Sequence, residues 1–225
     1  MSDTTSREKI LKKVRAALIH KSRAEQNAID YDSSVYPEPE DSLELVFAQQ
    51  FSEVGGQFIF CENEEDFIYN IVALTQDGSF GRIWCGEHEI GELLKKAKID
   101  FLKKEDQLTH AITTITGCEF LIARTGSILV SSKQLGGRRS IVSPDNHIVV
   151  CRTSQLIYNL RDALKAVKSK YSDGLPSMVS VITGPSRTAD IEKTLVMGAH
   201  GPKEVYLFMI DDVVPNADEF GATID

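Results

Sequence analysis

The stretch from Met178 to Met209 constrains the fold more than any other. A β-branched run, Val179 to Ile182, meets a Gly-Pro-Ser turn at Gly184 to Ser186. A helical pattern starts near Thr188, with Asp190 and Glu192 in its first turn, and ends around Gly198 to Pro202. A second β-type run covers Val205 to Ile210. The order predicts strand, tight turn, helix and parallel strand. A helix starting directly after a buried strand exposes unpaired backbone N–H groups at its positive pole. Gly184 lets the backbone approach a ligand, Ser186 and Thr188 offer hydroxyls, and Arg187 offers a planar donor fork. Together they describe an anion pocket. The competing reading is structural: Ser186 or Thr188 caps the helix and Arg187 pairs with Asp190 or Glu192. The spacing matches neither the dinucleotide glycine fingerprint nor the P-loop.

The preceding chain extends the pattern. Thr5 to Ile19 reads as an amphipathic helix with Ile10, Val14, Ala17 and Leu18 on its apolar stripe, and His20 to Ser42 as a polar linker. Helical spacing over Leu43 to Val54 follows Ser42 as N-cap and stops at Gly55-Gly56. Then come a strand at Gln57 to Cys61, an acid-opened helix over 62–75, a strand over 82–85 and a helix over 88–97. Ala111 to Gly117 has mixed periodicity, and Phe120 to Ser131 suggests a hairpin turning at Thr125-Gly126. His147 to Cys151 reads as a strand and Thr153 as the start of a long helix closed by Gly174 and Pro176, with Leu164 among its inward residues. Polar residues from Asp211 onward read as a frayed tail. Alternating strands and helices predict an α/β fold, a largely parallel sheet flanked by helices, with an N-terminal helical extension. The expected division is 1–41 for the helix and linker, 42–215 for the α/β domain and 216–225 for the tail.

Ligands of such sheets bind at the carboxyl ends of the strands. Three segments are therefore expected to converge: the loop after Ile182, the turn Arg124 to Ser127, and the loop holding Arg138 and Arg139. Thr125 and Gly126 offer a hydroxyl and backbone N–H groups, and the two arginines a clamp. The alternatives are a plain hairpin turn and a solvated basic loop. His200 reads as a cation at a helix end. No metal-ligand spacing, nucleophile elbow or Ser–His–Asp set emerges, so no catalytic residue is identified.

A net charge of -8 argues against nucleic acid as partner, since phosphate binding needs clustered Lys and Arg. No apolar run is long enough to span a bilayer and the first residues carry no apolar signal region, so a cytoplasmic location is expected. Cys61, Cys85, Cys118 and Cys151 are widely spaced and read as reduced thiols. An iron–sulfur cluster on this chain alone is not expected. Self-association as a homo-oligomer stays open.

Three blocks carry a family resemblance: T-G-C-E-F-L-I-A-R-T-G-S-I-L-V, H-I-V-V-C-R-T-S-Q-L-I, and I-T-G-P-S-R-T-A-D-I-E-K-T-L-V-M-G-A-H-G-P-K-E-V. In this order they resemble the lactate-utilisation protein C family, the LUD domain. The resemblance implies a fold like the sugar-phosphate isomerases and CoA-transferases. It also implies a part in oxidising L-lactate to pyruvate alongside partner proteins that carry the iron–sulfur clusters. The alternative is a stand-alone enzyme acting on a small phosphorylated or CoA-linked acid. Where family members often carry an acid, this chain has Arg124, which puts transfer of a catalytic role to that turn in doubt.

Overall fold

The computed structural model describes residues 6–19, 36–76, 78–133, 138–188 and 196–212. The chain divides into two units, Met1–Glu38 and Pro39–Asp225. In the first, α1 (Ser6–Ile19) is a helix with Glu8 in its first turn.

The second unit is built on a six-stranded, wholly parallel sheet. Its strands are β1 (Gln57–Cys61), β2 (Ile83–Trp84), β3 (Phe101–Leu102), β4 (Thr113–Thr116), β7 (Asn146–Arg152) and β12 (Glu204–Ile210), in the order β1-β12-β7-β4-β2-β3. Both faces are covered, as a parallel sheet requires. On one face α3 (Glu64–Thr75) and α4 (His88–Lys96) pack Phe67, Ile71, Ile90 and Leu94 against Ile115, Ile148 and Phe208. The other face meets α2 (Leu43–Glu53) and a second, four-stranded sheet: Phe47, Phe51, Leu121, Ile128 and Val130 close over Val149, Cys151, Leu207 and Met209.

That second sheet holds β5 (Phe120–Ile122), β6 (Ser127–Ser131), β8 (Leu156–Ile157) and β9 (Val179–Ile182), in the order β8-β5-β6-β9. β5–β6 and β6–β9 pair antiparallel, β5–β8 parallel. Its outer face is covered by α5 (Leu160–Lys170) through Ala163 and Val167 against Ile122 and Leu129. Helix starts follow local chemistry. Ser42 Oγ accepts from Leu45 N at 3.4 Å and Asn63 Oδ1 from Asp66 N at 2.9 Å. Three acids in the first turn of α3 suit its dipole.

Four expectations are corrected. First, β9 and β12 are not neighbours in one parallel sheet. Val179 and Val181 are exposed while Ser180 and Ile182 are half-buried, the period-two pattern of an edge strand, and β9 joins the second sheet. Second, Arg187 and Thr188 do not begin a helix: they form β10 (Arg187–Thr188), antiparallel to β11 (Val196–Met197), with residues 189–195 outside the described set. Ser186 N donates to Pro202 O at 2.8 Å and Gly198 N to Ser186 O at 2.9 Å, which closes the ladder, and His200 lies exposed in the turn after it. Third, the helix expected from Thr153 begins at Leu160. A 3-10 turn spans Thr153–Gln155, Leu156 and Ile157 pair with Leu121 and Ile122 as β8, and Leu164 on α5 is exposed. Fourth, Asp211 and Asp212 are not frayed: Thr153 Oγ1 donates to both, at 2.9 and 2.8 Å.

The strand with mixed periodicity, β4, is central and buried along its whole length. Its threonine hydroxyls find carbonyls: Thr113 Oγ1 donates to Phe80 O at 2.6 Å and Thr114 Oγ1 to Ser140 O at 2.7 Å. Polar side chains are tolerated there because each is satisfied.

Gly126, at φ +55, turns the β5–β6 hairpin under the end of α2. A Cβ there would stand 2.3 Å from Phe51 N and 2.4 Å from Gln50 C, both backbone atoms. Gly126→Ala is expected to destabilise the fold by about 2–4 kcal/mol, combining left-handed strain with overpacking. A lower urea midpoint with an unchanged m-value would register it.

Candidate functional site

The carboxyl ends of the parallel strands open into one crevice of about 860 Å³. Its lining follows from topology. β7 ends in Cys151 and Arg152, β12 in Ile210, and β4 leads into Gly117 and Cys118. The loop after β2 supplies Gly86 and Glu87, and the first turns of α4 supply His88, Glu89, Ile90, Glu92 and Leu93. Glu64 from α3, Lys96 at the end of α4, Val150, Gln155 and Lys170 complete the wall.

Backbone and side chains are tied together here. Glu87, at the N-cap of α4, makes no capping bond; its Oε1 accepts from Gly117 N at 2.9 Å and fixes the loop after β4. Gln155 Nε2 donates to Cys118 O at 2.6 Å, while its Oε1 accepts from Arg152 N at 2.8 Å. Arg152 Nη2 lies 3.3 Å from Glu64 Oε1, and Lys96 Nζ 3.1 Å from Glu64 Oε2. Hydrogen bonds from Lys96 and Arg152 hold the Glu64 carboxyl below the usual range. Both pairs are substantially exposed, and such pairs contribute roughly 0–1 kcal/mol. Separating either cation from Glu64 therefore costs little.

Behind the wall sits Glu119, whose side chain is fully buried. It accepts from Lys170 Nζ and Tyr171 OH at 2.7 Å each and from Ser131 Oγ at 2.5 Å. Burial pushes its carboxyl up, but the bonds from Lys170, Ser131 and Tyr171 and the lysine's charge outweigh it, and the net direction is down. Lys170, which lines the crevice, is thus anchored through a buried carboxylate.

His147, second in β7, is wholly buried. Its Nε2 lies 2.8 Å from Thr116 Oγ1, and Nδ1 has no hydrogen-bond partner among the described residues. Thr116 Oγ1 donates to Gly117 O at 3.1 Å. The hydroxyl therefore accepts from an Nε2–H, and because a buried Nδ1–H would have no acceptor among the described residues, the ring is neutral. Burial pushes the imidazole down to about 4.

The residues singled out in the sequence lie elsewhere. Thr125, Gly126 and Gly184 meet around the carboxyl end of α2. Thr125 Oγ1 is 2.8 Å from Ser127 Oγ, which is 2.9 Å from Thr183 Oγ1. Gly184, at φ +72, lies so close to α2 that a Cβ would stand 2.3 Å from Val54 O. Arg187 Nη2 donates to that same carbonyl at 2.6 Å. A guanidinium at a helix C-terminus meets the negative pole, so the helix amino end on which the anion reading rested is not present at Arg187 and Thr188. Ser186 holds the β10–β11 ladder to Pro202. Arg138 donates to Ser177 Oγ, and Ser177 sits beside Ser132 just past the far end of β6. That end lies ~13 Å from the Ser127 end at the rise of an extended strand. Arg139, exposed, shares a 3-10 turn with Arg138. Two of the three expected segments therefore converge, and the third does not. Arg124 Nε donates to Asn159 Oδ1 at 3.0 Å, tying the hairpin to the start of α5.

The crevice was missed because its lining is scattered through the chain. Among the described residues no group of three or more His, Cys, Asp or Glu side chains is placed to hold a metal ion, and no helix is long and apolar enough to cross a membrane.

Residues 45–210 match the model of the LUD domain. The chain is 33% identical over 118 residues to lactate utilization protein C of Deinococcus radiodurans, covering 50% of this chain and 55% of that one. It is 32% identical over 120 residues to lactate utilization protein C 1 of Bacillus mycoides, covering 52% and 49%. The alignments thus span about half the length of these curated relatives. Among solved structures, a DUF162 family protein from Deinococcus radiodurans superposes with a TM-score of 0.56 at 21% identity, covering 77% of this chain and 99% of that one; this likeness concerns the fold.

Neutral buried His147 makes a pH prediction. The unfolded imidazole takes its proton near pH 6.5, the folded one only near 4. Between those values the unfolded chain binds more protons, so stability falls on acidification through that window. From pH 7 to pH 5 His147 is expected to cost about 2 kcal/mol. Urea titrations of His147→Asn should show a correspondingly smaller loss than wild type over the same interval; equal losses would contradict the assignment.

Proposed function

The chain belongs to the LUD domain family, and on that premise we propose that it is a subunit of an L-lactate utilisation system. In this reading it takes part in oxidising lactate to pyruvate together with partner proteins that carry iron–sulfur clusters, and its crevice holds a small anionic ligand. The single observation that carries the ligand half is the crevice at the strand carboxyl ends, where the Arg152 guanidinium pairs with an exposed Glu64. The names of the matched relatives support the pathway half.

The chemistry suits a hydroxy- or keto-carboxylate. Arg152 offers a forked donor that matches a carboxylate. The first turn of α4, whose cap side chain is turned to Gly117, presents backbone N–H groups to the same space. Gln155 fixes the loop carrying Cys118 so that the floor keeps its shape.

Two measurements test the halves separately. Disrupting the gene in its source organism should abolish growth on L-lactate while leaving growth on pyruvate intact, and anaerobic affinity capture should recover iron–sulfur proteins. Normal growth on lactate together with capture of none would end the pathway reading. For the ligand, thermal unfolding with lactate, pyruvate, phosphate or CoA thioesters should show stabilisation by a small carboxylate, about 2.7 kcal/mol at a hundredfold excess over Kd. Arg152→Gln should remove it. A flat response across the set would end the ligand reading, and a shift with CoA thioesters alone would favour the stand-alone transferase.

A further inference from the structure

The four cysteines are all free and buried, yet they are not equivalent. Cys61 and Cys85 belong to the core under α3 and α4, whereas Cys118 and Cys151 belong to the core facing the second sheet. Register brings the latter two together. β4 and β7 pair in parallel with Thr116 level with Val149. Cys118, two residues beyond the end of β4, and Cys151, two residues after Val149 in β7, both follow that last pair. Neighbouring strands lie ~4.8 Å apart, within the Cα separation of ~4.4–6.8 Å that a disulfide spans. Both side chains belong to one buried core and both residues line the crevice; Cys151 Sγ donates to Phe208 O at 3.3 Å. Cys61 is separated from β7 by β12 and faces the other way. Cys85 follows Trp84, which is level with Thr114, and its thiol is engaged with Glu87 O at 3.5 Å.

We propose that Cys118 and Cys151 form a reactive thiol pair, which hydrogen peroxide entering through the crevice oxidises to an intramolecular disulfide. The Cys118 sulfur attacks one peroxide oxygen and the O–O bond breaks. The departing hydroxide takes the Cys118 thiol proton as water, leaving a sulfenic acid. The Cys151 sulfur then attacks the Cys118 sulfur and the S–O bond breaks. Hydroxide leaves with the Cys151 proton as a second water. Two thiols lose two electrons and the peroxide gains them. Cys118 acts first because Gln155 Nε2 approaches its sulfur at 3.8 Å, a contact that supports developing negative charge. Burial, followed by the neighbouring Cys118, pushes the Cys151 thiol well up, so it stays protonated until the second step. An external dithiol reverses the bridge by exchange. The pair stands on register and crevice geometry and does not depend on which ligand the crevice takes.

The test uses the full chain, treated with hydrogen peroxide, alkylated after denaturation and mapped by mass spectrometry. The free thiol count should fall from four to two, with a peptide joining Cys118 to Cys151 that dithiothreitol separates. The Cys61→Ser, Cys85→Ser double variant should still form the bridge. Cys151→Ser should stop at a sulfenic acid on Cys118, trapped by dimedone. Four thiols still alkylated under conditions that oxidise the urea-unfolded chain would overturn the proposal, as would a bridge involving Cys61 or Cys85. The wild-type linkage map decides the matter even if Cys151→Ser fails to fold.

Discussion

A parallel sheet buried on both faces is the constraint from which the rest of this structure follows. Each strand of such a sheet carries apolar residues on both sides, so each face needs its own cover. Here α3 and α4 cover one face, and α2 with a second sheet covers the other. The second sheet then has an outer face of its own, which α5 closes through Ala163 and Val167. The crevice is what this covering leaves open. Strands end at different depths, and the loops after β2, β4 and β7 rise around the gap.

Close approach at the end of α2 gives the second layer its position. Gly126 and Gly184 belong to different strand connections, and each lies within a side chain's reach of the helix backbone. Arg187 adds its guanidinium to the Val54 carbonyl, and Thr125, Ser127 and Thr183 link the two connections by hydroxyl contacts. A glycine-rich turn bearing hydroxyls and an arginine has two uses, because the same donors that cradle an anion also cap a helix carboxyl end. In the sequence they cannot be told apart, since the deciding partner, the end of α2, lies about 130 residues earlier in the chain; Arg187 and Val54 are separated by 133 positions.

The strands and helices from Leu43 to Lys96 were legible because their periodicity, caps and breakers are local: Ser42 and Gly55 sit where elements begin or end, though the helix expected from 62 starts at Glu64, capped by Asn63. β4 was harder, because T-T-I-T has no alternation to read when both faces are buried. Leu156 and Ile157 sat at helical spacing with Leu160 and Ala163, yet they pair with β5, and nothing local marks that switch. V-S-V-I read as a buried run, although its alternation with a serine fits an edge strand equally well. The crevice was least legible. Glu64, Glu87, Cys118, Arg152 and Lys170 have no common spacing and meet only through the sheet order.

Glu119 joins the two layers at the point where function is proposed. It follows Cys118 directly, so the chain passes from crevice floor to buried carboxylate in one residue. Lys170, Tyr171 and Ser131 all point to that carboxylate, and they come from the end of α5, the residue after it, and the end of β6. The lysine's charge is therefore committed behind the wall: burial lowers its affinity for the proton, Glu119 raises it, and the balance is upward. Arg152 has no such buried commitment, since its carboxylate partner Glu64 is exposed and shared with Lys96. Of the three cations that line the crevice, Lys170 is anchored to a buried carboxylate, while Arg152 and Lys96 share the exposed Glu64. A substitution at Glu119 would therefore disturb α5, β6 and the crevice floor together, whereas one at Arg152 would remove an exposed ion pair and leave that buried network in place.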